Sequence, residues 1–198
     1  MVALRLRRAS VRIRGVNRRR YLLASLTWLS VRPATRAADP LIGRPAPDWQ
    51  LAHWQNSVPL SLKQLRGKAV LVRWWTAPNC ELCRTTAPAL NEFHSEFGGR
   101  GLQVVGVYHH KVRTPFNLRQ VTMHAAELGF KFPVAVDLDW QTLRHWWLDG
   151  HERAFTSVSF LLDRRGVIRH IHPGGQFVKG DADYAAIRAK VIEVLAEP

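Results

Sequence analysis

The chain has 198 residues, of which 46% are hydrophobic, and it carries a formal net charge of +14 at pH 7. This length suits one domain with a short additional segment. The charge is unevenly distributed: residues 1–38 contain ten arginines and no acidic residue, so the remainder has 19 basic and 15 acidic residues and a net charge of +4. The folded part therefore lacks the basic surface expected of a nucleic-acid-binding protein.

Residues 1–38 have the organisation of a secretory signal peptide. An arginine-rich stretch precedes the 11-residue apolar run 21–31, and small residues follow at Ala37 and Ala38. Residues 17–23 resemble the twin-arginine export motif through the paired arginines, the aromatic residue and the leucine. We therefore predict cleavage after Ala37 or Ala38 and export to the periplasm, with a mitochondrial presequence as the alternative. A membrane span needs about 17–25 apolar residues, so we expect membrane attachment only through an uncleaved N-terminal segment.

Residues 40–60 read as an extended segment that leads into the domain. Apolar and polar side chains alternate weakly over residues 49–53, and a turn signal follows at residues 55–57. This pattern predicts a small N-terminal hairpin. Residues 61–67 begin with a serine cap and end with a glycine, which predicts one helical turn.

The next segment contains the only two cysteines, Cys80 and Cys83. An apolar run over residues 69–75, interrupted only by Arg73, precedes them and predicts a central buried strand. A helical pattern follows up to Phe97, with Pro88 inside it, where a proline should kink the helix. Cys80 is thus expected at the start of a helix, where unpaired N–H groups and the helix dipole stabilise a thiolate.

The remaining pattern alternates strands and helices. Residues 102–108 predict a second buried strand, and Thr114 and Pro115 fit the cap and first position of a helix. The later elements are a strand at 132–137, a short helix at 140–148, a hairpin formed by 155–162 and 167–171, and a last helix capped by Asp181. This order predicts an α/β protein with a mixed sheet.

The Cys-x-x-Cys spacing has two interpretations besides redox chemistry. A structural zinc site needs four ligands, and the sequence contains no second cysteine pair. A purely structural disulfide would close a four-residue loop, which removes little entropy from the unfolded chain. The strand–loop–helix context favours a redox-active pair.

At this point the chain resembles a known family. The tryptophan-rich strand, the Cys-x-x-Cys, Pro88 five residues after Cys83 and the sequence of residues 159–166 resemble exported thioredoxin-fold redoxins, the TlpA-like thiol–disulfide oxidoreductases. The resemblance covers about residues 41–197. It implies a thioredoxin-like domain over residues 39–198, with a central mixed sheet flanked by helices and the N-terminal hairpin as an extension.

The resemblance also implies roles for individual residues. Cys80 would be the attacking cysteine and Cys83 the resolving one, Pro88 the helix-kink proline, and Trp75 the aromatic residue before the active-site loop. No cofactor beyond the Cys80–Cys83 disulfide is expected. The implied partners are a disulfide-containing client protein and an upstream thiol donor in the membrane.

Three features depart from the family pattern. The loop between Trp75 and Cys80 is one residue longer than usual, and Arg73 occupies the position where thioredoxin has a buried acid. We expect Arg73 either to pair with an acid at the sheet end or to approach the cysteines. Ser157, in the segment after Thr156, replaces the family's cis-proline. Because a cis bond before a non-proline residue costs about 2.5–4 kcal/mol, we expect this bond to be trans.

Two other functions are considered. Soft thiolates bind Cu(I), so Cys80 and Cys83 together with His109 or His110 would form the site of a copper metallochaperone, although two solvated loop histidines are the simpler interpretation. A thiol peroxidase is disfavoured because its Pro-x-x-x-Thr-x-x-Cys signature is missing: Thr76 precedes Cys80 by four residues instead of three.

Overall fold

The structure is a computed structural model, which describes residues 39–198. The predicted signal peptide, residues 1–38, lies outside the described residues. Within residues 39–198, no helix is both long enough and apolar enough to cross a membrane.

One mixed sheet forms the centre of the described domain. Its six strands are β1 (Ala52–Gln55), β2 (Ala69–Trp75), β3 (Leu102–His109), β4 (Val134–Asp137), β5 (Ser159–Leu162) and β6 (Ile168–His172). Their spatial order is β1-β4-β3-β2-β5-β6. β2, β3 and β4 are parallel, whereas β1, β5 and β6 pair antiparallel to their neighbours. The predicted mixed sheet with β2 at its centre is confirmed.

The α-helices in the described residues are α1 (Glu81–Phe97), α2 (Leu118–Glu127), α3 (Gln141–Leu143) and α4 (Ala182–Ala196). A 3-10 turn (Leu138–Trp140) precedes α3 and a π-helical turn (Arg144–Leu148) follows it. The predicted cap of the last helix is confirmed, since the Asp181 carboxylate accepts a hydrogen bond of 2.6 Å from the Tyr184 N–H.

The two faces of the sheet pack against different layers. Successive side chains of a strand point to opposite faces, so Trp74 and Trp75 enter separate cores. Trp75 belongs to the core that contains the buried side chains of α1, α2 and α4. Trp74 belongs to the other core, where it packs against Trp146 and Phe160 with ring centroids 5.4 and 5.9 Å away. Because both faces are covered, all seven residues of β2 are buried.

The predicted N-terminal hairpin is wrong. β1 pairs antiparallel with β4 at the sheet edge, with Ala52 opposite Val136. The chain does bend at residues 56–58, but the Asn56 side chain bonds to residues far along the chain. Its amide donates to the carbonyl oxygens of Phe130 and Phe132, at 3.1 and 3.0 Å. These bonds hold the lead-in segment against the start of β4 instead of folding it back on itself.

Of the helix predictions, the start of α2 needs correction, whereas the short turn before β2 is as expected. α2 begins at Leu118, not at Thr114–Pro115, because the Asn117 side chain caps it by accepting from the N–H groups of Arg119 and Gln120. The predicted helical turn at residues 61–67 is confirmed: the Leu65 N–H donates to the Ser61 carbonyl at 3.2 Å, and the Ser61 Oγ accepts from the Gln64 N–H at 3.3 Å.

Candidate active site

The Cys pair lies where β2 leads into α1. β2 ends at Trp75, residues 76–79 form the connecting loop, and Cys80 is the N-cap residue of α1. The half-buried Cys80 Sγ accepts a hydrogen bond of 3.2 Å from the Cys83 N–H. An N–H donor and the positive end of a helix dipole both favour a negative charge, so this position can stabilise a thiolate.

Cys80 and Cys83 are joined by a disulfide, with their Cα atoms 5.2 Å apart. Residues 39–198 contain no free cysteine. The two sulfur-bearing residues differ in access, since Cys80 is half-buried whereas Cys83 is only 3% exposed. An incoming thiol or disulfide can therefore reach Cys80 more readily than Cys83, and access decides which sulfur takes part in exchange.

Two clefts flank the disulfide. The first, of about 350 Å³, separates the Cys pair from the end of α2 and is lined by His124, Glu127 and Leu128 as well as by both cysteines. The second, of about 480 Å³, has Cys80 on one side and Lys111 and Val112 on the other. We call them the α2 cleft and the Lys111 cleft. Cys80 lines both clefts, whereas Cys83 lines only the α2 cleft.

Arg73 is the buried charge closest along the chain to the site. Its side chain is fully buried, and its Nη1 donates to the Ser159 Oγ at 3.2 Å and its Nη2 to the Gly175 carbonyl at 2.7 Å. Both acceptors are neutral, so the expected pairing with an acid is wrong. Burial lowers the pKa of Arg73 to about 9, which leaves the guanidinium charged at neutral pH.

The aromatic residue before the loop, Trp75, is buried beneath it. Its ring makes edge contacts with Tyr108 and Phe130, with centroids 5.1 and 5.4 Å away. Pro88 lies inside α1 on an exposed position, and α1 continues past it to Phe97. Trp75 thus anchors the end of β2, on which the position of the loop depends.

Thr156 and Ser157 lie beside the start of the active-site loop. The Trp74 N–H donates to the Val158 carbonyl at 3.0 Å, which sets Ser157 next to Trp75 in the antiparallel register of β2 and β5. The peptide bond before Ser157 is trans, as expected; the cis bond of the described residues is Ala77–Pro78. The sheet therefore brings the segment that replaces the family's cis-proline close to the Cys loop.

The two adjacent histidines have different environments. His109, expected in a solvated loop, is fully buried because β3 extends one residue further than predicted. Its Nε2 is 2.9 Å from the Thr156 Oγ1, and burial lowers its pKa to about 3, so the ring is neutral at physiological pH. His110 is half-buried, with its Nε2 2.6 Å from the Thr114 carbonyl and its Nδ1 3.0 Å from the Tyr108 hydroxyl.

The copper site of the alternative function is not assembled. In the part of the chain that the structure describes, no three His, Cys, Asp or Glu side chains lie close enough together to hold a metal ion. Both histidines are engaged elsewhere, His109 with Thr156 and His110 with Tyr108 and Thr114.

Several residues at this site could not be predicted from the sequence. The Tyr108 hydroxyl donates to the Ala77 carbonyl at 3.3 Å and so holds the active-site loop from β3. His124 and Glu127, whose side chains are 3.0 Å apart, line the α2 cleft. Their i,i+3 spacing is visible in the sequence, but nothing in it shows that the end of α2 faces the cysteines.

Comparisons with known proteins agree with this architecture. The AhpC/TSA family profile matches residues 42–171. The chain is 30% identical over 154 residues to the protein DipZ of Mycobacterium tuberculosis. This match covers 76% of this chain but only 20% of DipZ. It is 28% identical over 145 residues to the thiol-disulfide oxidoreductase YkuV of Bacillus subtilis, covering 73% of this chain and 88% of YkuV.

Solved structures show the same fold. A thiol-disulfide isomerase from Corynebacterium glutamicum superposes with a TM-score of 0.59 at 28% identity, over 77% of this chain and 98% of that one. The thioredoxin-like superfamily protein SPOA0173 superposes with a TM-score of 0.64 at 24% identity, over 78% and 98%. The expected thioredoxin-like fold and the resemblance to the redoxins are confirmed. Because the family profile covers residues 42–171, more than half of the sequence, this chain belongs to the AhpC/TSA family.

Proposed function

We propose that this protein is a thiol–disulfide oxidoreductase that acts on protein disulfides, with Cys80 attacking and Cys83 resolving. The observation that carries the proposal is the disulfide between a half-buried Cys80 and a buried Cys83 at the N-terminus of α1. The name of YkuV, a thiol-disulfide oxidoreductase that the chain covers over 88% of its length, supports the same chemistry.

The exchange proceeds from the reduced protein in two steps. The Cys80 thiolate attacks one sulfur of the client disulfide, a mixed disulfide forms, and the other client sulfur leaves as a thiolate that takes a proton from solvent. The Cys83 thiolate then attacks the Cys80 Sγ and releases the second client thiolate. Two electrons pass from the Cys pair to the client, so we propose that no further cofactor takes part.

The groups around the pair assist this chemistry. The Cys83 N–H, 3.2 Å from the Cys80 Sγ, stabilises the attacking thiolate. The α2 cleft and the Lys111 cleft receive the client chain on either side of Cys80. Thr156 and Ser157 contact the client backbone, and Ser157 adds an N–H donor that a proline in the same position would lack.

We further propose that the protein acts in the periplasm, in the reducing direction, and is recharged by a thiol donor in the membrane. The signal-peptide pattern of residues 1–38 supports the compartment. Fusing these residues to a reporter that is active only outside the cytoplasm tests it, with the paired arginines Arg18 and Arg19 changed to lysine as the control. A mitochondrial presequence is the alternative outcome. No nucleic-acid partner is proposed, because residues 39–198 carry a net charge of only +4.

Insulin reduction by the protein, kept reduced by dithiothreitol, tests the proposed activity. Cys80→Ser removes the attacking sulfur and should abolish catalysis. Cys83→Ser keeps the first step, so once the reduced variant is freed of dithiothreitol and mixed with insulin, a mixed disulfide should accumulate and be visible on a non-reducing gel. Ser95→Ala, on an exposed position of α1, is the control and should behave as the wild type. Full activity of Cys80→Ser would refute the proposal.

Equilibration with glutathione buffers tests the direction. A reduction potential near −270 mV, about that of thioredoxin, would support a reductase. A potential near −120 mV, about that of a strong oxidant, would show that the protein introduces disulfides instead.

A further inference from the structure

Arg73 is a buried cation without an anionic partner. The two acceptors of its guanidinium are the Ser159 hydroxyl and the Gly175 carbonyl, and its buried Nε has no hydrogen-bond partner in the described structure. Buried charges are normally paired, because removal from water is costly. The positive charge of Arg73 therefore acts on its surroundings without being neutralised by a carboxylate.

The field of Arg73 already affects its neighbours on two other strands. It lowers the pKa of His109, at the end of β3, as a smaller contribution beside burial. It also lowers the pKa of His172, at the end of β6, where only burial contributes more. A cation that disfavours positive charge at these positions must favour negative charge nearby.

A chain of contacts connects Arg73 to the Cys-x-x-Cys turn. Its guanidinium carbon lies 5.5 Å from the centroid of the Phe177 ring. The Phe177 N–H donates to the Thr86 Oγ1 at 3.3 Å, and the Thr86 hydroxyl donates to the Leu82 carbonyl at 2.8 Å. Leu82 stands between the two cysteines, and Cys83 belongs to the same buried core as Phe177. Arg73, Phe177, Thr86 and Cys83 are all buried, so the interaction between Arg73 and Cys83 is weakly screened.

We propose that the buried charge of Arg73 stabilises the Cys83 thiolate of the reduced protein and thereby makes the Cys pair more oxidising than it would otherwise be. The inference rests on the proposed disulfide exchange and identifies a residue that adjusts the reduction potential of the Cys pair. In the disulfide neither sulfur is charged, so a nearby cation stabilises only the reduced state. Stabilising the reduced state raises the reduction potential and also supplies the thiolate that resolves the mixed disulfide.

The other charged groups around Cys83 are poor candidates for this effect. Arg84 is exposed and lies 3.8 Å from the Glu81 carboxylate, and His124 is bonded to Glu127 across the α2 cleft. Lys111 is exposed at the opposite cleft, and the Asp183 carboxylate, 3.5 Å from the His172 Nε2, is mostly exposed. Water and salt screen exposed charges strongly, whereas Arg73 is fully buried.

The first measurement is the equilibrium of the Cys pair with glutathione in two variants. Arg73→Met removes the charge at similar volume, and Arg73→Lys keeps it. We expect Arg73→Met to shift the equilibrium constant about tenfold towards the disulfide, which corresponds to a potential about 30 mV more negative. Arg73→Lys should stay within about twofold of the wild type on the same scale. Circular dichroism establishes that each variant folds, and Arg73→Gln replaces Arg73→Met if the latter does not.

The second measurement follows Cys83 alone, in a Cys80→Ser background, by the ultraviolet absorbance of its thiolate. With Arg73 present, we expect a midpoint below the ordinary thiol value of about 8.5, even though burial acts in the opposite direction. Arg73→Met should raise that midpoint by about one pH unit, and Arg73→Lys should not. A residue with a purely structural role would leave this titration unchanged.

Three results would overturn the inference. The first is a Cys83 midpoint above that of an ordinary thiol in the Cys80→Ser protein that retains Arg73. The others are a folded charge-free variant with unchanged reduction potential and Cys83 midpoint, or an Arg73→Lys protein that behaves like Arg73→Met. The first of these needs no Arg73 variant and so decides the matter even if the charge-free proteins do not fold. If the wild-type pair fails to exchange with glutathione at all, the proposed function fails instead. If it exchanges normally and Arg73→Met matches it, only the role of Arg73 is lost.

Discussion

Tyr108→Phe is predicted to loosen the active-site loop without disturbing the core. Phenylalanine keeps the ring contact with Trp75 at 5.1 Å but removes the hydroxyl, which donates to the Ala77 carbonyl at 3.3 Å and lies 3.0 Å from the His110 Nδ1. Burial raises the pKa of the Tyr108 phenol, so this hydroxyl stays protonated as a donor throughout the neutral range. A net hydrogen bond is worth about 1 kcal/mol, and a buried carbonyl left unsatisfied raises the loss to about 1–3 kcal/mol.

Two assays separate stability from function in this variant. Urea unfolding should show a free energy of unfolding about 1–3 kcal/mol lower than in the wild type. Insulin reduction should slow by about two- to tenfold, because tenfold corresponds to about 1.4 kcal/mol of lost positioning. Tyr184→Phe is the matched control: this tyrosine is also buried but lies on α4, so its hydroxyl should affect stability and spare the exchange rate. Unchanged values of both quantities in Tyr108→Phe would show that the hydroxyl does not hold the loop.

Three further outcomes follow from the site. The folded-state pKa of His109, about 3, lies below its unfolded value of about 6.5, so the unfolded state binds more protons between these two pH values. The free energy of unfolding should therefore fall as the pH falls through this window. His109→Gln should remove up to about 1.4 kcal/mol per pH unit from that slope, as urea titrations at several pH values can check. Thr156→Val leaves the buried His109 Nε2 unpaired and should lower stability by about 1–3 kcal/mol, whereas Thr156→Ser keeps the hydroxyl; equal unfolding midpoints would contradict this. Finally, the reduced protein should consume hydrogen peroxide no faster than Cys80→Ser, and rapid Cys80-dependent consumption would establish a thiol peroxidase.

The elements that the sequence predicted well depend on short-range signals. The apolar run of β2 and the cysteine that caps α1 were read directly from neighbouring residues. The β5–β6 turn is equally local, since the Asp163 Oδ1 accepts from the N–H groups of Arg165 and Val167, both at 2.9 Å. A capping or turn interaction spans only two to four residues, so its pattern survives in the sequence.

The errors concern residues whose partners come from elsewhere in the chain. Asn56 was correctly predicted in a turn, but its side-chain amide donates hydrogen bonds to the segment before β4. The segment that was expected to form a hairpin therefore pairs with β4 as an edge strand. Of the two expectations for Arg73, pairing with an acid at the sheet end is wrong, since one of its acceptors is the Gly175 carbonyl, 102 residues away. His109 was assigned to a solvated loop because nothing local shows where β3 ends.

The sequence alone therefore established the α/β class, the position of the cysteines at a helix start and the pairing of Cys80 with Cys83. Packing established everything that surrounds them: the Tyr108 hydroxyl under the loop, the end of α2 across the cleft from Cys83, and the unpaired charge of Arg73 in the core. The physical reason is the sequence distance over which each kind of interaction acts. Periodicity and capping act between near neighbours, whereas burial, desolvation and unscreened charge depend on which strands and helices come together in the folded domain.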